Sequence, residues 1–319
     1  MAVLVTGGFG HIGSWVSRIL LERGKDVIVL GRSRHRLSYL EDYSQRITFF
    51  PADVLDYASI FRLFEELRGD LEGVIHVAGL MGGPHFATNP HRNIRVNTFG
   101  TLDLLEACRI FGISRFVYVS SGSVYGKRDD VPDEDVPLSP SDVYGAAKAS
   151  AELIGVQYGN EFGLDFRAVR VYFAYGPGKW PSELYPLYTA VFGALEGRDR
   201  VCLEAGRDQQ LDFTYVRDIA RAIVLLHESE NVKSRVYNVS SGEWAPLPDL
   251  IRAVARYAGV SVDLEIGPGK LMPRGPSLGS TRIRDELGFK PEYSFADGVQ
   301  AYAEWILAER TSRQERGSV

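Results

Sequence analysis

The chain has 319 residues, of which 45% are hydrophobic and 24% are charged, and its formal net charge is −5. This is the composition of an ordinary folded protein, and the charge gives no reason to expect nucleic acid or an anionic membrane as partner. No apolar run approaches the roughly 18 residues that can span a bilayer. The two cysteines and six histidines show no disulfide or metal-ligand spacing. We therefore expect a cytoplasmic protein with no metal.

Apolar runs alternate with amphipathic stretches over the first half of the chain. The runs predict strands at residues 2–6, 26–30, 47–50, 73–77, 115–120 and 166–171. The periodicity between them predicts helices at residues 11–23, 57–67, 93–111 and 142–161. Strands that are continuously apolar, such as residues 27–30 and 116–119, are typical of a parallel sheet covered on both faces. The pattern predicts an α/β fold, a Rossmann-type doubly wound parallel sheet, over residues 1–175.

The alternation is lost after residue 175. Gly and Pro cluster at residues 175–181 and 267–276, which predicts loops, and helices are predicted at residues 216–228 and 250–257. We interpret residues 176–310 as a smaller C-terminal substrate lobe, interleaved with the last strands of the sheet. Residues 311–319 are interpreted as a polar tail.

A glycine-rich segment, residues 6–13, directly follows the first strand and opens the first helix. Glycine lets the backbone turn tightly and approach a pyrophosphate, and the helix start offers free N–H groups and a positive dipole end. In this strand–loop–helix setting the segment predicts a dinucleotide-binding loop. The cofactor-binding residues predicted here are Gly7, Phe9, Gly10, His11, Ile12 and Gly13.

The end of the second strand bears on the choice of cofactor. A carboxylate normally binds the adenosine ribose 2′-hydroxyl at this point, but the chain has Arg32 and Ser33, followed by Arg34, His35 and Arg36. Arginine can bind a 2′-phosphate, so we predict NADP in preference to NAD. The alternative interpretation is that this arginine-rich turn is only a solvated loop.

After the third strand, Asp53 is placed to accept a hydrogen bond from the adenine amino group. Val54 would contribute its backbone.

Tyr144 and Lys148 are spaced so that they share one face of a helix. A phenol has a pKa near 10 and needs a neighbouring positive charge to act as a base, which Lys148 would supply. Ser121 and Ser123 follow the fifth strand, at the sheet edge where such folds bind ligands, and Ser121 can hydrogen-bond the reacting oxygen. These four residues predict proton-transfer chemistry at an alcohol or ketone.

Together these motifs resemble the extended short-chain dehydrogenase/reductase family, in its epimerase and dehydratase branch. The matching segments are residues 6–13, 53–54, 76–79, 97–101, 120–126, 144–148, 175–177 and 212–218, with Phe289 and Pro291 near the end. The resemblance implies that Ser121, Tyr144 and Lys148 form a catalytic triad and that Ala78 and Asn97 contact the cofactor. It also implies a homodimer formed through helices near residues 93–111 and 142–161.

The departures from this family pattern concern the substrate. Related nucleotide-sugar enzymes carry an Arg where this chain has Leu211 and an Asn where it has Phe173, and Arg274 is the nearest match to their second phosphate-binding Arg. Losing these charge-assisted bonds would weaken diphosphate binding, unless Lys179, Arg207 or Lys270 replace them. The acidic pair of 4,6-dehydratases is replaced by Gly122 and Ser123.

The sequence therefore favours an NAD(P)-dependent dehydrogenase or reductase. It would move a hydride to or from the secondary carbinol carbon of a small polar substrate, such as a sugar, sugar acid or polyol. The predicted substrate-binding residues are Ser121, Ser123, Phe173 and Arg274. The alternative is a nucleotide-sugar (UDP-sugar) 4-epimerase that works through a transient keto intermediate. A catalytically silent cofactor-binding protein is the third class considered.

Overall fold

The computed structural model of the chain describes residues 1–34, 37–81, 89–230 and 232–317. The six strands predicted for the first half are present, each within two residues of its expected bounds. In chain order the strands are β1 (Ala2–Thr6), β2 (Asp26–Gly31), β3 (Ile47–Pro51), β4 (Leu71–His76), β5 (Arg115–Ser121), β6 (Asp165–Val171), β7 (Phe173–Tyr175), β8 (Arg200–Leu203), β9 (Gln210–Leu211), β10 (Phe213–Tyr215), β11 (Val236–Val239), β12 (Ala245–Pro246) and β13 (Asp263–Ile266).

The helices follow the predicted order as far as β6. After β6 the structure contains the two helices predicted at residues 216–228 and 250–257 and also helices that the sequence did not predict, at residues 186–192, 281–287 and 295–317. They are α1 (His11–Glu22), α2 (Tyr57–Glu66), α3 (Pro90–Ile94), α4 (Gly100–Phe111), α5 (Val143–Phe162), α6 (Pro186–Phe192), α7 (Val216–Glu228), α8 (Leu247–Ala258), α9 (Thr281–Leu287) and α10 (Phe295–Gly317). The single helix expected over residues 93–111 is instead α3, a turn of π-helix at Arg95–Phe99, and α4.

Seven strands form one parallel sheet in the order β11-β6-β5-β4-β1-β2-β3. The chain passes outward from β1 to β2 and β3, and then returns to β4 on the other side of β1. This reversal is the topological switch point of a doubly wound sheet, where ligands bind at the carboxyl ends of the strands. The predicted Rossmann-type fold is confirmed.

Helices cover both faces of this sheet. Val3 and Val5 pack with α1 and α7 on one face, whereas Leu4 packs with α2, α4 and α5 on the other. Side chains of a strand alternate between faces, so a strand buried on both sides must be apolar at every position. That is why β1 and its neighbours are apolar without alternation.

A second core lies between α6, α8 and α10 and the short strands β8, β9 and β10. It is rich in aromatic rings, and Tyr175, Phe192, Phe213 and Tyr302 form its centre. Between two parts of this lobe the chain returns to the main sheet as β11, beside β6. Helix α10 continues through Gly317 and so includes most of the predicted polar tail, of which residues 318 and 319 lie outside the described residues.

Over the ranges given above, the structure contains no helix that is long and apolar enough to cross a membrane.

Candidate active site

A cavity of about 820 Å³ runs along the carboxyl edge of the sheet, from the glycine-rich loop to the second lobe. Every residue that the sequence predicts for the site lines this cavity, and their individual roles stay predictions. These residues are Gly7, Phe9, Gly10, His11, Ile12, Gly13, Arg32, Ser33, Asp53, Val54, Ala78, Asn97, Ser121, Ser123, Tyr144, Lys148, Phe173 and Arg274.

Two glycines of the loop pack so closely against neighbouring backbone that they could not carry side chains. Because the loop has no side chains at these positions, it leaves room for an anion. Gly7 has φ of +67°, and a Cβ on it would lie 3.0 Å from the backbone nitrogen of Ala78. A Cβ on Gly13 would lie 2.2 Å from the carbonyl oxygen of Gly7. Gly10 caps α1 without a side chain, and Gly10, His11 and Ile12 at the start of this helix line the cavity. This arrangement fits the pyrophosphate of a dinucleotide.

His11 has a second role that the sequence did not indicate. Its Nε2 lies 3.0 Å from the carbonyl oxygen of Gly176, in the turn that leads into the second lobe. Burial lowers the pKa of His11 to about 4, so the ring is neutral at physiological pH. The His11 side chain therefore binds the turn at Gly176, and the His11 backbone forms the start of α1.

At the adenosine end of the cavity, Arg32 and Ser33 are exposed and Asp53 lies beside them. Asp53 Oδ1 accepts a hydrogen bond from the backbone N–H of Leu55 at 3.1 Å, which fixes the carboxylate. His35 and Arg36, which belong to the same predicted cluster, lie outside the described residues.

Asn97 holds the segment that follows β4. Its Oδ1 accepts from the N–H of Leu80 at 3.1 Å, and its Nδ2 donates to the Leu80 carbonyl and to Asn93 Oδ1, both at 2.9 Å. Asn97 lies in the π-helical turn, and its side chain is buried. The side chain thereby shapes the cavity wall next to Ala78.

Ser121 is the last residue of β5, and Tyr144 lies in the first turn of α5. Asp142 caps α5 by accepting from the N–H of Gly145 at 2.7 Å, which fixes the start of the helix. Ser121 Oγ accepts from the N–H of Ser123 at 3.1 Å and donates to Ser123 Oγ at 3.2 Å. Burial raises the pKa of Tyr144, whereas a hydrogen bond with Ser121 and the charge of Arg274 act to lower it.

Lys148 is buried one helical turn after Tyr144. Its Nζ donates to the carbonyl oxygen of Val119 at 2.6 Å and lies 4.3 Å from the centre of the Tyr118 ring. Burial lowers the pKa of Lys148 to about 7, and the opposing influence of Glu152 does not cancel this effect. Lys148 can therefore gain or lose its charge near neutral pH.

At the substrate end, sequence reasoning missed several aromatic residues. Tyr185, which directly precedes α6, and Tyr188, within α6, line the same cavity as Tyr144. Tyr172 also lines it. Helix α6 has only seven residues, so it carried too little periodicity to be predicted. Phe173 contacts Tyr172 and Tyr188 edge to face.

The structure bears on four positions that concern substrate binding. Leu211 is fully buried in the second core and does not line the cavity, so this position does not face the substrate as expected. Of the three cations considered as replacements for the lost phosphate-binding Arg, Lys179 lines the cavity. Arg207 instead donates to the Ile266 carbonyl, and Lys270 forms an ion pair with Asp129.

The comparisons with known proteins agree on one family. The model of the NAD dependent epimerase/dehydratase family matches residues 3–240. A dTDP-glucose 4,6-dehydratase of Streptomyces niveus is 31% identical, and the match covers 97% of this chain and 94% of the relative. The chain belongs to the NAD-dependent epimerase/dehydratase family of enzymes, as the sequence motifs predicted.

Solved structures of similar proteins extend over the whole fold. The UDP-glucose 4-epimerase of Thermotoga maritima, solved with UDP-glucose, has a TM-score of 0.86 at 27% identity, covering 97% of this chain and 99% of that one. MoeE5, solved in complex with UDP-glucose and NAD, has a TM-score of 0.83 at 26% identity, with the same coverage.

The buried lysine gives a prediction about stability. Because its folded pKa is lowered, the unfolded chain binds more protons than the native one between pH about 7 and 10.5. The contribution of Lys148 to the free energy of unfolding therefore rises with pH through this window. The free energy of unfolding of the wild type and of Lys148→Met is measured in urea at pH of about 6 and about 9. Relative to the wild type, Lys148→Met should be less stable at the higher pH than at the lower one.

Lys290→Met, at an exposed lysine, is the control for the loss of a lysine charge. A stability difference between wild type and Lys148→Met that is the same at both pH values would contradict the lowered pKa.

Proposed function

We propose that this protein is a nucleotide-sugar 4-epimerase, the alternative that the sequence left open. The observation that carries the proposal is the cavity, in which Ser121, Tyr144 and Lys148 lie between a dinucleotide cradle and a second lobe. The relatives named above, which act on or bind sugar nucleotides, support this substrate class over a small free polyol.

The proposed reaction is a reversible oxidation of one secondary alcohol of the sugar. Tyr144, as phenolate, removes the hydroxyl proton while Ser121 holds the oxygen, and a bound NAD supplies the hydride acceptor. Lys148, when charged, favours the phenolate and can bind the nicotinamide ribose. Return of the hydride to the opposite face of the keto sugar, with the proton from Tyr144, completes the epimerisation.

The same cavity favours epimerisation over dehydration. Elimination of water needs a general acid and a general base near the sugar, besides the Tyr144 hydroxyl. Among the described residues of the cavity lining, the carboxylates are Asp53, at the adenosine end, and Asp142, which caps α5. Gly122 and Ser123, which follow Ser121, supply none.

A dehydrogenase for a small polar substrate is the second candidate, and Phe173 favours it. An aromatic ring at this position of the cavity offers no hydrogen bond to a diphosphate. The two candidates differ in their cofactor balance, since a dehydrogenase reduces one free NAD per substrate and an epimerase reduces none at turnover.

We predict that Tyr144→Phe lowers kcat by about a hundredfold or more, because the phenol is the proposed acid and base. Cofactor affinity should change little, since the ring is retained. Tyr158→Phe, on the same helix, is the matched control, because its hydroxyl bonds Glu106 away from the cavity. Full activity of Tyr144→Phe would refute the assignment, whichever of the two reactions the enzyme catalyses.

For the cofactor, we propose NAD, since solved relatives bind NAD, with Arg32 reducing the usual discrimination against NADP. Arg32 is exposed at the adenosine end, and β2 ends at Gly31 without the carboxylate that would repel a 2′-phosphate.

Arg32→Ala should therefore weaken NADP binding about tenfold or more while changing NAD binding about twofold or less, as measured by calorimetry. Arg34→Ala, at the exposed neighbour, is the control. Equal losses for both cofactors would contradict a 2′-phosphate contact.

We also propose a homodimer, as the family resemblance implies, in a reducing cytoplasm that suits two free cysteines. Three large apolar side chains on or next to α4 and α5, those of Phe99, Leu153 and Phe162, are each more than half exposed and would be covered in such a dimer. Light scattering should find a dimer that Leu153→Glu converts to a monomer. Leu307→Glu, at an equally exposed leucine of α10, should leave the dimer intact. A wild-type monomer would overturn the proposal.

A further inference from the structure

Arg274 is carried on a segment that buried polar groups hold in place. The N–H of Met272 donates to Gln209 Oε1 at 3.0 Å, and Ser277 Oγ donates to Asp212 Oδ2 at 2.7 Å. Gln209, Asp212 and Ser277 are each 1% exposed or less. The residues that flank buried Leu211 thus anchor the loop that presents Arg274 to the cavity.

The guanidinium of Arg274 makes few hydrogen bonds within the described part of the protein. Among the described residues its side-chain partner is Asp142, whose Oδ2 lies 3.4 Å from Nη2, while Oδ1 of the same carboxylate caps α5. A guanidinium has five N–H donors, and one long contact to a half-exposed carboxylate satisfies few of them. The group is therefore available to a second, incoming anion.

Three tyrosines show where this charge acts. Arg274 lowers the pKa of the Tyr144, Tyr172 and Tyr185 hydroxyls, opposing the effect of burial. The Tyr172 hydroxyl donates to the Gly275 carbonyl, whereas Tyr185 lines the cavity close enough to Tyr144 for the charge state of Tyr144 to affect the Tyr185 pKa. Arg274 and Tyr185 therefore border the acid–base end of the cavity, not the glycine loop.

We propose that Arg274 and Tyr185 bind a carboxylate carried by the sugar itself, so that the substrate class is a nucleotide-linked sugar acid. The inference rests on the proposed function and narrows its substrate. A carboxylate matches the guanidinium in a bidentate pair and accepts a further hydrogen bond from a phenol. The carboxylate of the sugar would also replace that of Asp142 as the anionic partner of Arg274.

Binding is the test, because it does not require turnover. Affinities of the NAD-loaded enzyme for UDP-glucuronic acid, UDP-glucose, free glucuronate and UDP are measured by calorimetry for wild type, Arg274→Gln and Arg274→Lys. We expect the wild type to bind UDP-glucuronic acid more tightly than UDP-glucose. Arg274→Gln should lose about tenfold or more for the acid and about threefold or less for UDP-glucose, with partial recovery in Arg274→Lys.

Tyr185→Phe removes one hydroxyl and should lower affinity for the acid selectively, to a smaller extent. Lys179→Gln, at another cation of the lining, is the control and should leave the ratio of the two affinities unchanged. Equal losses for both sugar nucleotides and for UDP in Arg274→Gln would overturn the inference, because the arginine would then bind the diphosphate. A wild type that prefers UDP-glucose would also overturn it.

Failure of the epimerase proposal has a different signature. If free glucuronate binds in an Arg274-dependent manner while UDP does not bind, the carboxylate site stands and the nucleotide-sugar substrate is wrong.

Discussion

The carboxyl ends of β1, β4 and β5 must meet at one edge of a parallel sheet, and the site depends on this constraint. The switch between β1 and β4 opens a crevice there, which is lined by Gly7 and Ala78, from the loops after β1 and β4, and by Ser121, the last residue of β5. Buried strands with neighbours on both sides hold these loops by ladder hydrogen bonds, and the helices that follow them are fixed by their own packing. Ser121, Tyr144 and Lys148 are thus positioned by β5 and α5, which belong to the packed core, and not by a flexible loop.

Burial and charge act against each other at the centre of the site. Burial raises the pKa of Tyr144 and lowers that of Lys148, so it opposes the charged form of both. Ser121 and Arg274 oppose this effect at Tyr144. The sequence alone assigned that influence to Lys148, and the structure adds Arg274, which lies 130 positions away in the chain. The pKa of Tyr144 is therefore coupled to a residue of the second lobe.

The dinucleotide half was predictable because its signals are local. An apolar run, a glycine turn and a helix start are contiguous in residues 2–13, and each is a backbone requirement. The second lobe was not, since strands such as β9 and β12 have two residues each and pair only through tertiary contacts. Leu211 shows the limit of motif transfer, because its burial followed from the packing of that lobe and not from its place in a motif.

We propose that one secondary alcohol of a sugar nucleotide is oxidised and re-reduced in this cavity without release of the hydride. The most direct measurement uses a UDP-sugar deuterated at the carbinol carbon, with free NAD present and products analysed by mass spectrometry and NMR. We expect the epimer to retain the deuterium at that carbon, with none in free NADH or water. Accumulation of a keto product with the deuterium in free NADH would contradict it.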